Sequence, residues 1–198
     1  MTEGLFQRIE MIGGFHGAML LARGRPEGVL FFANSPAAAW RSCLLMLLGL
    51  PVGLLLHLLL ATSLSGSGIL ILLAVQCLRG VLGWAAFMVM SEPLAAMCGR
   101  GALWPRFIAV RNWLFLPQCL ALYALVSLPS LLGASEILLQ ATGLVCWGYM
   151  IWMDWFGTRW SLQTTGPQAA AFVIADLAVA TLVDNLVMGS FERFIAGF

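Results

Sequence analysis

From Ser42 to Leu60 the chain reads SCLLMLLGLPVGLLLHLLL, nineteen residues without a formal charge at neutral pH. At about 1.5 Å per helical residue this stretch matches a hydrocarbon core roughly 30 Å thick, so it is expected to cross a membrane. The rest of the chain obeys the same constraint. Of its 198 residues 61% are hydrophobic and only 10% charged, where soluble domains carry roughly a quarter charged residues. A water-exposed surface cannot be built from so few charges, and the expected fold is an all-α polytopic helix bundle.

Four further apolar segments follow, at about Ile69–Met90, Trp113–Leu132, Ile137–Trp155 and Ala169–Met188. Five transmembrane helices are therefore expected over residues 35–198. Residues 1–34 form a separate cytoplasmic or interfacial segment, in which Leu5, Ile9, Ile12, Met19 and Leu20 recur near helical spacing among polar interruptions. That pattern predicts an interfacial amphipathic helix, weakened at Gly13-Gly14, because each glycine costs about 1 kcal/mol against alanine. Asn34-Ser35-Pro36 reads as a helix start, with Ser35 as the cap and Pro36 where a missing N–H is harmless.

Charge placement predicts orientation. The net charge is +1 and every one of the ten basic residues is Arg. Arg8, Arg23, Arg25 and Arg41 precede or open the first span, Arg100, Arg106 and Arg111 fall between spans two and three, and Arg159 follows span four; Arg193 alone falls on the other side. The positive-inside bias then puts the N-terminus in the cytoplasm and the C-terminus outside a bacterial inner membrane. Arg100, Arg106 and Arg111 are expected at the headgroup level. Nothing in this balance suggests a nucleic-acid partner.

Arg79 stands apart, since it falls near the middle of the second span, where an arginine costs about 2.5–3.5 kcal/mol on insertion scales. A neutralising carboxylate is expected, and counting from the span ends nominates Asp176 on the last span. His57 and Asp184 fall at similar depth near the external ends of spans one and five, which predicts a second contact. Gln76, one helical turn from Arg79, completes a candidate intramembrane polar network of Arg79, Asp176, His57, Asp184 and Gln76. The five cysteines are scattered singly, without a CxxC pair, and two histidines do not make a metal centre. Phosphate loops, nucleophile elbows and paired catalytic carboxylates are absent.

Ser35–Ser42 (SPAAAWRS), Arg106–Gln118 (RFIAVRNWLFLPQ) and Gly166–Leu177 (GPQAAAFVIADL) are similar to segments of small bacterial membrane proteins, and the five-span layout resembles the Yip1-type membrane proteins. The DLYGP-like element of the eukaryotic members has no counterpart here. The resemblance implies a five-helix scaffold that meets other membrane proteins, without implying a role in trafficking. Two functions are expected from these readings. The first is a non-enzymatic scaffold or accessory subunit that needs no cofactor, with the lipid bilayer and a membrane protein or second copy as partners. The alternative is a small transporter or channel that uses Arg79, Asp176, His57 and Asp184.

Overall fold

The structure is a computed structural model that describes residues 2–61 and 66–196, with side chains described for residues 11–47, 49–51, 54–55, 70, 73–187 and 189. Every regular element among them is helical: α1 (Thr2–Ala22), a 3-10 turn (Pro26–Phe31), α2 (Pro36–Ala61), α3 (Gly66–Met97), a 3-10 turn (Gly101–Leu103), α4 (Trp104–Leu122), a π turn (Tyr123–Ser127), α5 (Leu128–Leu131), α6 (Glu136–Ser161) and α7 (Gly166–Ala196). Three described stretches are long and apolar enough to cross a membrane: Leu73–Met97, Gly101–Leu131 and Gly166–Val187.

Local chemistry explains where the helices begin. The Ser35 hydroxyl accepts from the Ala38 N–H at 3.2 Å ahead of Pro36, as the cap reading expects. Ser135 does the same for α6 through the Leu138 N–H. Helices α6 and α7 run on to Ser161 and Ala196, past the expected ends at Trp155 and Met188, and two further boundaries that differ move charged residues. Helix α3 runs on through Ser91-Glu92-Pro93 to Met97 instead of stopping near Met90. Helix α4 opens at Trp104-Pro105 instead of Trp113, with the proline in its first turn, where no amide hydrogen is required. A polar connection was expected here; it is mostly helix, because Phe107, Ile108, Ala109 and Val110 all bury against neighbours.

Helix α4 is the axis of packing, contacted by α1, α2 and α6, while α3 packs on α7 and α2, and α7 also packs on α6. Ala18 and Leu21 of α1, with Val29 and Phe32 beyond it, form one buried cluster with Ala109, Val110 and Leu114 of α4. Helix α1 passes unbroken through Gly13-Gly14. The reason is contact: a Cβ added to Gly14 would stand 2.5 Å from the Trp113 ring, so the glycine lets the indole lie against the helix. Gly17 and Gly28 bring the 3-10 turn onto α1 at backbone distance. Over residues 11–22, where its side chains are described, α1 leaves Met11, Ile12, Phe15 and His16 exposed on its outer face.

The ends of α4, α6 and the segment before α2 meet. Asn34 donates to the Ala102 carbonyl at 2.9 Å and accepts from the Arg106 N–H at 3.3 Å. Arg106 donates through Nε and Nη2 to the Ser161 carbonyl at 3.0 and 2.7 Å, placing a cation at the C-terminus of α6, where the helix dipole favours it.

Candidate functional site

Between α2, α3, α4, α6 and α7 lies a cavity of about 410 Å³. Its position follows from a helical stripe on α4, because Arg111, Phe115, Gln118 and Leu122, spaced by four, three and four residues, all line it. Apolar side chains such as Met46 and Leu50 of α2 and Met150 of α6 supply much of the remaining wall. The charged groups come in two tiers.

The first tier is centred on Arg111. Its Nη2 donates to Asp176 Oδ2 at 2.6 Å, its Nη1 stands 3.5 Å from Asp154 Oδ1, and its guanidinium lies 4.4 Å from the centre of the Phe87 ring. Asp154 also accepts from Gln118 Nε2 at 2.9 Å. One arginine thus joins α4 to both α6 and α7.

The second tier lies about 12 Å further from the Arg106 end, as counted at about 1.5 Å per residue from Asp176 to Asp184 on α7. Arg79 Nε donates to Asp184 Oδ1 at 2.8 Å and Nη2 meets Oδ2 at 2.6 Å, a two-pronged pair. Arg79 Nη1 donates to Gln76 Oε1 at 2.7 Å.

This arrangement corrects the expected pairing of Arg79 with Asp176. Arg79 is eighteen residues before the end of α3 at Met97, and Asp184 is eighteen residues after the start of α7 at Gly166. In antiparallel helices those positions share a level. Ending α3 near Met90 placed Arg79 two turns too shallow and matched it to the wrong carboxylate. Arg111, expected among the interfacial basic residues, takes Asp176 instead, because α4 starts nine residues early and carries it two turns into the bundle. Arg100 is exposed beside the 3-10 turn, and Arg106 sits at the helix ends as described.

Of the expected network, Arg79, Gln76, Asp176 and Asp184 all line the cavity. The side chain of His57 lies outside the described residues, and with it the expected contact to Asp184. Asp184 is engaged by Arg79. Arg111 was expected only as an interfacial cation, and Asp154 and Asn112 were not anticipated as site residues. Asn112 is 1% exposed and joins three helices, accepting from Trp84 Nε1 at 2.8 Å and donating to Ser42 Oγ at 2.9 Å. The signal for Arg111 and Asn112 was Trp104-Pro105, a helix start that sets both inside a long apolar helix; no comparable local signal marked Asp154, which lies on α6.

No group of three metal-ligating side chains occurs among the described residues. The fold and site are those of an all-helical protein with helices suited to crossing a membrane and a charged cavity at their centre. The chain matches no protein-family model, no curated protein and no solved structure.

Proposed function

We propose that this is a five-span membrane protein, with α2, α3, the α4–α5 unit, α6 and α7 crossing the bilayer, that binds a small molecule inside its bundle and acts as a small transporter or channel. The cavity carries this reading. Five charged side chains from four helices converge on about 410 Å³ of open space, and that volume falls in the range of roughly 300–1,000 Å³ typical of small-molecule sites. An intramembrane arginine is costly to insert, and both of these line the open space as well as joining helices, which supports a role for that space. The role is one of binding and passage, not catalysis.

The end of the bundle where Asn34, Ala102, Arg106 and Ser161 meet also carries Arg41, Arg100 and Arg159 at the neighbouring helix ends. On the positive-inside bias this end faces the cytoplasm of a bacterial inner membrane, which leaves the C-terminus outside.

Cys119 lines the cavity and provides a direct test. In a variant that keeps Cys119 as its sole cysteine, reconstituted in liposomes, a water-borne, membrane-impermeant thiol reagent is expected to modify it. Gly83 also lines the cavity, and a Cβ there meets nothing within 4 Å, so Gly83→Phe can fill the space and should slow labelling at least tenfold. A Cys119 thiol that stays unreactive from either side in both proteins would defeat the transport reading and leave the scaffold in its place.

A further inference from the structure

The charges on the cavity wall do not balance, and the imbalance indicates what the cavity takes. Among the described lining residues two guanidiniums, Arg79 and Arg111, face three carboxylates, Asp154, Asp176 and Asp184. Asp184 and Asp176 each hold an arginine nitrogen at 2.6 Å. Asp154 does not. Its guanidinium contact is the longer one, 3.5 Å to an Arg111 already committed to Asp176, and the hydrogen bond it accepts comes from the neutral amide of Gln118. With its side chain 19% exposed, Asp154 is the carboxylate whose charge is left over, in a place where an unpaired anion is strongly disfavoured.

The surroundings narrow the identity of the missing cation. Apolar and aromatic side chains, among them Leu50, Phe115 and Met150, make up much of the wall, a poor setting for a small hydrated metal ion and a good one for a cation carrying its own apolar bulk. Resting on the cavity reading above, we propose that the site binds a lipophilic organic monocation with its charge at Asp154, and that a proton on Asp154 replaces the cation when the site is empty. The exchange conserves charge: one cation enters, the Asp154 carboxyl loses its proton, and one proton leaves. The titratable groups facing the same space are Arg111, Cys119 and Tyr123 from the α4 side, Asp176 and Asp184 from α7, and Arg79 from α3. The two arginines stay charged across the working pH range, and Asp176 and Asp184 are held by them, so Asp154 is the group free to exchange.

Equilibrium dialysis of the purified full-length protein in mild detergent, with tetraphenylphosphonium as probe between pH 5 and 8, tests this directly. One probe per chain is expected, with affinity rising toward tenfold per pH unit on the acidic side and then levelling off. Tetraphenylborate and the neutral triphenylphosphine oxide should bind at least tenfold more weakly. Asp154→Asn should remove both the preference for the cation and the pH dependence, and it balances the wall charges without touching the Arg111–Asp176 bond. Should that variant fail to fold, the selectivity of the unaltered protein decides by itself. Equal or tighter binding of the anionic or neutral probe overturns the cation assignment while leaving the cavity reading intact, as does absence of binding by all three where Cys119 is reactive. Unchanged pH-dependent cation binding in folded Asp154→Asn overturns the role of Asp154. Absence of binding together with an inert Cys119 removes both readings.

Discussion

Helix α4 has two faces with opposite characters. Toward α1 and α6 it presents Ala109, Val110 and Leu114, all at most 2% exposed, and glycines let the neighbours come close: Gly14 admits Trp113, and Gly157 admits Leu114. On the side that lines the cavity it presents Arg111, Phe115 and Gln118, with Phe115 close against Gly49 of α2 and open space beside Gly83 of α3. One face is filled and apolar; the other is filled around Phe107 and Ile108 at the Arg106 end and opens into the charged cavity beyond them. The difference shows that the hollow is not a general looseness of the bundle, because the same helix packs densely a third of a turn away.

If that contrast is right, the largest loss should come from the charged face. Arg111→Met strips Asp176 of its cation and Asp154 of its nearest guanidinium, leaving the Asp176 carboxylate buried and unneutralised, and is expected to cost about 3–5 kcal/mol in unfolding by SDS titration from mild detergent. Adding Asp154→Asn and Asp176→Asn to it should restore much of the loss, which separates uncompensated charge from lost packing. In the layer that covers the filled face, where the 3-10 turn packs on α1, Gly28→Ala is expected to cost about 2–3 kcal/mol, since the new methyl group meets the Gly17 carbonyl backbone and the turn must shift to admit it. A stability within 0.5 kcal/mol of the parent would show that the α1 contact is softer than its geometry implies.

Asn112 sits where the faces join. Asn112→Ala leaves the Trp84 indole N–H without its acceptor and should cost about 1–2 kcal/mol, with a change in Trp84 fluorescence. The smallest effect should have the opposite sign. Gly83→Ala places a methyl group in open space within a helix and should stabilise by about 0.5–1 kcal/mol through helix propensity. The same glycine-to-alanine change would then destabilise one face and stabilise the other. If both destabilise, the contrast between the faces is lost.

Several features were legible from residue order because their causes are local. The apolar runs, the Ser35-Pro36 start and the cost of an arginine at Arg79 all follow from the chemistry of short segments, whatever surrounds them. That Arg79 would need a carboxylate was equally legible. Which carboxylate was not, because pairing across antiparallel helices depends on where each helix ends, and a seven-residue extension of α3 moves Arg79 two turns. Arg111 was read as a loop cation for the same reason, since its burial depends on α4 opening at Trp104-Pro105.

Composition and order therefore determined by themselves that this chain is helical, suited to a bilayer and in need of internal charge neutralisation. Tertiary structure alone decided that the charges surround a shared space and that Asp154 is the carboxylate left over. The physical reason is that hydrophobicity and capping act over a few residues, whereas electrostatic pairing acts over ångströms between helices that are distant in sequence, so a shift of one or two turns redistributes every partner.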